Sequence, residues 1–503
     1  GRRSFRARAD KDPDKTCPEA KRRNSQGASI TTDPSSHNAK MSLLFLVTAI
    51  LALTLLQSSQ HCHATNVLCA SCDCKPSLEK ESSVDVDCSR KGNKMVPAGS
   101  QWPHNLYKFD LSHNFIDHVT TLEPSNVSVL DLHDNYIGVI EPGVFSVFQN
   151  LQVLDLSQNR LSSLHMDTFK GLANLKSLNI SRNSIRTLPA ELFNPLVALE
   201  QLRISHNPLR YIERSFFTNL ANLEILEMSS VDAHSLPDGV FHTMPSLAYL
   251  DLSENSFDEV PSSALRSAEA LKVLVISDNP IRVLNYRSFY KMSNIEELYI
   301  ENMKELVSVE GDTFECQKKM RVLYLDNNPK LTELDLDIFG IFWRMEPPAN
   351  WTLKELYLQN NNIKWIDSDV APWKELTILD LQGNPLACDC TNAWLRKVPL
   401  QPELTVRLWC GSPANHEREP LLEAPEELFV CSNVSERDSQ TSTLRTAVFI
   451  VGTLSLVAIL LSAIMLVKRK ALHERFLRRK GRNGSVYYVK AHTNPVEDYN
   501  QNA

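Results

Sequence analysis

A period of twenty-four residues governs the middle of this chain. Apolar residues align on the pattern L-x-x-L-x-L-x-x-N-x-L, with a full match at Leu151-Gln-Val-Leu154-Asp-Leu156-Ser-Gln-Asn159-Arg-Leu161. Leu175 to Ile185, Leu199 to Leu209 and Leu247 to Phe257 match as fully. First positions fall at Leu106, Val127, Leu151, Leu175, Leu199, Leu223, Leu247, Leu271, Ile295, Met320, Leu353 and Leu376. The intervals are 21, seven of 24, then 25, 33 and 23, which makes twelve repeats. Self-similarity at such a period is the mark of a solenoid, in which each repeat buries its apolar face against its neighbours.

The stretch L-x-x-L-x-L sends alternate side chains to opposite faces of a short strand. Its leucines point into the solenoid and the x positions face outward. The recurring Asn stands where the chain leaves the strand, and its amide can satisfy backbone groups that a turn leaves unpaired. A second column, Phe145, Phe169, Phe193, Phe217, Phe241, Leu265, Phe289, Phe314 and Phe339, predicts a stacked spine behind the strands. The Asn column fails at Val231 and Met303, where local irregularity is expected. The interval of 33 holds an apolar insertion around Ile341 to Trp351. It is expected to fold back against the array, because large exposed apolar patches are rare unless they bind something.

Cysteines flank the repeats: Cys69, Cys72, Cys74 and Cys88 before them, Cys388, Cys390, Cys410 and Cys431 after them. Repeats and flanks together, from Cys69 to Cys431, resemble the 24-residue leucine-rich repeat of animal extracellular proteins. The resemblance implies an α/β-type solenoid: a curved horseshoe with a parallel concave sheet and a cysteine-rich cap at each end. It also implies the pairs Cys69–Cys74, Cys72–Cys88, Cys388–Cys410 and Cys390–Cys431. Zinc is the competing reading of Cys-x2-Cys-x-Cys, but an oxidising compartment favours disulfides. Cys316 is left over, to be read as a buried inert thiol or as an intermolecular bridge.

Two apolar segments set that compartment. Leu43 to Leu56 is a run of fourteen, short of the ~20 helical residues that span a bilayer. Lys40 precedes it and Cys62-His63-Ala64 offers small residues for cleavage, so 41–64 reads as a secretory signal starting at Met41. An uncleaved anchor is the alternative. Residues 1–40 are then expected to be an upstream extension outside the mature protein. Thr446 to Val467 holds twenty-two residues without a charge and is followed by Lys468-Arg469-Lys470. At ~1.5 Å per residue such a helix crosses the hydrocarbon core, and the basic flank places the C-terminal side in the cytoplasm.

The domain plan is therefore an N-terminal cap at 65–105, repeats at 106–386, a C-terminal cap at 387–432, a stem at 433–445, a transmembrane helix at 446–467 and a basic tail at 468–503. Residues 1–40 carry +5 and the tail carries +6, so with a total of −7 the stretch 65–467 carries −18. That acidic middle argues against nucleic-acid binding, which rests on clustered Lys and Arg. Luminal sequons stand at Asn126, Asn179, Asn350 and Asn433. Asn179 occupies an outward strand position, where a glycan would partly block the sheet face.

No nucleotide-binding, nucleophile-elbow or zinc-protease motif is present, and the fourteen histidines are scattered. No enzyme, cofactor or metal site is expected. The ectodomain resembles those of Toll-type receptors and of tartan- and capricious-type adhesion proteins, yet the 36-residue tail is too short for a folded signalling domain. It offers basic residues over 468–482, suited to anionic inner-leaflet lipid, and Tyr487, Tyr488 and Tyr499 as phosphorylation candidates.

The resulting expectation is a plasma-membrane type I glycoprotein that binds an extracellular protein or an opposing cell, with a signalling co-receptor as partner. An immune co-receptor for microbial ligands and a shed matrix-organising protein are the alternatives. The docking candidates are Tyr299, Tyr324 and Tyr357, one per repeat at the same outward position. Tyrosine is enriched at binding hot spots, though side chains there also pack against cross-strand neighbours. The insertion is expected to widen the gap before Tyr357.

Overall fold

One sheet of fourteen strands runs the length of the array. The computed structural model describes residues 68–340 and 351–431. Twelve of the strands are the repeat strands, from Leu106–Asp110 to Ile378–Asp380, side by side in chain order. The repeat-to-repeat pairing is parallel and in register, as in Leu130↔Leu154, Leu178↔Leu202 and Leu298↔Leu323. The strands are short because only x-L-x is extended. The central leucine is buried and its two neighbours are half-exposed, as in Val153–Asp155 and Ile225–Glu227. Each fully buried leucine contributes ~1.5–3 kcal/mol relative to an exposed one.

The turn that follows each strand has a uniform cause. The residue before the recurring Asn position has positive φ in all twelve repeats, from His113 (54°) and Asp134 (50°) to Asn360 (56°) and Gly383 (71°). The Asn side chain holds that turn closed. Asn159 donates to the carbonyls of Leu156 and Ser157 in its own repeat and to Leu132 in the preceding one, at 3.0–3.1 Å. Its Oδ1 accepts the N–H of Ile137, again in the preceding repeat, at 2.9 Å. Asn135, Asn183, Asn207, Asn255 and Asn279 donate to their own and the preceding repeat in the same way.

At Val231 and Met303 the amide is missing, yet Ser230 and Asn302 keep the left-handed turn. Asp232 adds a second left-handed residue there (62°). The irregularity stops at the turn: the sheet stays in register on both sides. Both side chains are fully buried and help fill the core instead.

The predicted spine is present, every member from Phe145 to Phe339 being buried. Phe169 and Phe193 stack at 6.2 Å, and Phe289 and Phe314 at 5.7 Å. Phe339 meets Trp351 edge to face at 5.4 Å. That contact seats the end of the insertion on the spine; 341–350 lie outside the described residues.

The N-terminal edge is sealed by a hairpin, Asp73–Pro76 antiparallel to Val84–Asp87, whose second strand continues the sheet parallel to Leu106–Asp110. Disulfides Cys69–Cys74 and Cys72–Cys88 fasten it. At the other end Leu386–Ala387 pairs with Cys410–Ser412, and Cys388 is bonded to Cys410. Cys390 and Cys431 are disulfide-bonded as well. Cys316 is buried and also disulfide-bonded, so the reading of it as a free inert thiol is corrected.

The described residues up to Val430 belong to one compact unit, and of the second unit only Cys431 is described. Among the described residues no helix is long and apolar enough to cross a membrane. The segments 1–64 and 446–503, with Asn350, Asn433, Tyr487, Tyr488 and Tyr499, lie outside the described residues.

Candidate functional site

The outward position between the second and third leucines reads Asp110, Asp131, Asp155, Asn179, Arg203, Glu227, Asp251, Val275, Tyr299, Tyr324, Tyr357, Asp380 along the sheet. Most of its acidic members serve the fold. Asp110 Oδ1 accepts the N–H (3.0 Å) and the hydroxyl (2.6 Å) of Ser112. Asp155 with Ser157 and Asp251 with Ser253 repeat the motif. Asn179 repeats it with Ser181, the hydroxyl of its own sequon (2.7 Å), and its amide nitrogen donates to Asp155 (3.0 Å). A side chain that closes its own turn has little left for a ligand.

The tyrosines break this rule. Tyr299 and Tyr324 stack with ring centroids 4.6 Å apart and 11° between planes; Tyr324 and Tyr357 stack at 4.3 Å and 3°. All three are half-exposed. The nine-residue excess does not open the ladder, contrary to expectation, because Val322–Tyr324 pairs directly with Glu355–Tyr357. Mutual stacking covers ring faces, so the surface presented outward consists of ring edges and hydroxyls. Tyr299 donates its hydroxyl to Glu297 (3.1 Å) and Tyr357 to Glu355 (3.0 Å). Burial first, and then these carboxylates, push both phenols above their usual range, so the hydroxyls stay protonated.

A neighbouring column changes in the same repeats. The position two residues after the tyrosines is Ser in seven of the first eight repeats, then becomes Glu301, Asp326, Gln359 and Gln382. Where Asp or Asn precedes a Ser, the Ser hydroxyl is its turn partner; Ser205 and Ser277, which follow Arg203 and Val275, instead accept the N–H of Ser229 and Glu301 in the next repeat. Glu301 and Asp326 are near enough for each carboxyl to bear on the titration of the other. Asp326 is only 2% exposed. Burial, reinforced by the Glu301 charge, pushes its carboxyl up to about 7. Burial also raises Glu301. Among the described residues, Asp326 Oδ1 and Gln359 Oε1 are buried without a hydrogen-bond partner. Sequence reasoning found the tyrosines and missed this column; the signal was the end of the Ser run at Glu301.

Of the sequons, Asn126 is exposed, with Oδ1 accepting from Asn150 (3.1 Å). Asn179 is half-buried on the sheet face. Neither is near the tyrosine ladder in strand order.

The leucine rich repeat family profile matches residues 104–161, 125–174, 149–209, 204–257, 221–281 and 245–304. The fold is a leucine-rich-repeat solenoid. Among solved structures it is similar to the mouse RP105/MD-1 complex, with TM-score 0.52 and 20% identity over 69% of this chain and 54% of that one. The TLR13–ssRNA13 complex gives 0.47 and 23% over 64% and 54%. The Drosophila Toll–Spatzle complex gives 0.45 and 19% over 65% and 55%. The chain spans about half the length of these solved chains.

Proposed function

We propose that this protein is a cell-surface glycoprotein that captures a protein ligand, or a partner on an opposing cell, on the outward face of its sheet at Tyr299, Tyr324 and Tyr357. In this reading 446–467 spans the plasma membrane with the N-terminus outside, 468–482 lies on anionic inner-leaflet lipid, and a co-receptor transmits the signal. The observation that carries it is the three-ring stack with its acid-rich border. It replaces the turn-closing Asp–Ser pair in three successive repeats and leaves hydroxyls, ring edges and carboxylates facing solvent. Aromatic groups of this kind carry a large share of the energy at protein interfaces. A solenoid of the same fold, mouse RP105, was solved in complex with the protein MD-1.

The test uses the full chain on transfected cells, scored for homotypic clustering and for capture of partner cells or proteins. Changing both Tyr299 and Tyr324 to Ser is expected to abolish capture without lowering surface display, since neither ring belongs to the buried core. Unchanged capture, or collapse of display together with capture, refutes the assignment.

A further inference from the structure

Two histidines near the N-terminal end of the array face each other. His113 occupies the left-handed turn position of the first repeat, and His133 follows the strand Val129–Asp131 of the second. Their Nε2 atoms are 3.2 Å apart and the rings meet at 76° with centroids 4.6 Å apart. Each ring is anchored through its other nitrogen. His133 Nδ1 lies 2.7 Å from Asp131 Oδ1, and His113 Nδ1 lies 2.5 Å from Asp134 Oδ2. The backbones are tied as well: the His113 N–H donates to the His133 carbonyl at 3.0 Å.

The two carboxylates fix the tautomers. With Nδ1–H donated to Asp in both rings, each neutral imidazole turns an Nε2 lone pair toward the other. Two lone pairs at 3.2 Å repel unless a proton or a metal ion lies between them. The distance matches what a tetrahedral ion requires, since two nitrogens at ~2.0–2.1 Å from zinc stand ~3.3 Å apart. A carboxylate on the far nitrogen of each ring is the arrangement that orients metal-binding histidines and raises their basicity. Both rings are reachable, with side chains 33% and 25% exposed. Asp110 and Asp155 add negative charge around His133.

We propose that His113 and His133 bind a divalent transition-metal ion of the imidazole-preferring class, zinc or copper, through their Nε2 atoms, with Asp134 and Asp131 as the outer carboxylates. Among the described residues no group of three His, Cys, Asp or Glu converges on one point, so water fills the remaining positions. The site needs no ordering of loops. Its ligands sit in the turns that follow two adjacent in-register strands, and the backbone bond from His113 to His133 ties those turns together before the ion arrives.

Equilibrium dialysis of the full-length protein in detergent against Zn²⁺, and Co²⁺ absorption as a spectroscopic probe, test this. One ion per chain is expected above the background of a His113→Gln/His133→Gln double variant. Either single variant should weaken uptake about tenfold or more. Asp134→Asn, which touches only the outer carboxylate, should weaken it by less than either histidine change does. His206→Gln, at the equivalent turn position four repeats on, should leave it unchanged. Circular dichroism shows whether each variant has folded. Uptake that survives in the folded double variant overturns the proposal. So does absence of uptake in the wild type, which would leave the pair sharing a proton only.

Discussion

Tyr324 and Tyr357 stack with nearly parallel rings 4.3 Å apart although 33 residues separate them, nine more than one regular repeat. Contact across the sheet is therefore set by strand register, and the added chain is excluded from it. Tyr324 is the only ring of the three with a stacked neighbour on each side. Aromatic pairs contribute ~0.5–1.5 kcal/mol beyond area burial. Tyr324→Ala should thus lower the thermal midpoint more than Tyr299→Ala does, and calorimetry on the two variants compares them.

Asp326 gives the stability a pH dependence of definite sign. Its carboxyl titrates at about 7 in the folded chain, against an ordinary value of 3.8, because burial and the Glu301 charge favour the protonated form. The folded state then binds the extra proton between those values, so stability falls as pH rises toward 7. Glu301, also raised, acts in the same direction, with Asp278 adding to it and Asp380 facing Asp326. Thermal midpoints at pH 5 and pH 7.5 should show wild type losing more on the upward step than Asp326→Asn. An equal loss in both proteins would contradict the raised carboxyl.

Asn159→Ala should cost about 2–4 kcal/mol, since it orphans a buried N–H and several carbonyls in two repeats at once. The control is Asn150→Ala, an exposed residue whose amide donates to Asn126 at 3.1 Å; it should fall within ~0.5 kcal/mol of wild type. Chemical denaturation of the pair reads the difference.

Glycan occupancy at Asn179 is expected despite the crowded site, because the Ser181 hydroxyl is already on its amide oxygen. Peptide mapping before and after glycosidase treatment checks this. Asn179→Gln should remove one glycan, and it should disturb the turn less than Asn179→Ala, which deletes the acceptor altogether.

Much of the fold was legible from residue spacing, since twelve strand positions, the phenylalanine spine and the capping cysteines repeat in ways that only a stacked array satisfies. Leu154 is legible because burial demands it; His113 in its left-handed turn is not. Left-handed backbone favours Gly or Asn, yet only Gly383 is glycine among the twelve turn positions. Tertiary hydrogen bonds from the asparagine ladder impose the conformation on Arg182 and Glu254 all the same. The acceptor column at Glu301, Asp326 and Gln359 escaped notice because burial of Asp326 depends on the neighbouring strands. The His113–His133 pairing was equally hidden, since twenty residues separate the two rings in sequence. Cys316 was misjudged for a related reason: repeat spacing says where a side chain points and nothing about its covalent partner.

The asparagine ladder also has a direction, with consequences at the ribosome. Ile137 N–H is satisfied by Asn159, twenty-two residues further on, and Ile185 N–H by Asn207 at the same separation. During synthesis from the N-terminus, each turn stays open until the next repeat has emerged. The nascent array thus always trails one unfinished coil at its growing end, and domains fold as they leave the ribosome on just this schedule of available partners. Asn384 is the last to arrive, closing Ile363 N–H. A chain halted inside the repeats would end on a turn still waiting for its asparagine wherever the next repeat carries one, which gives truncated products a shared defect for quality control to recognise.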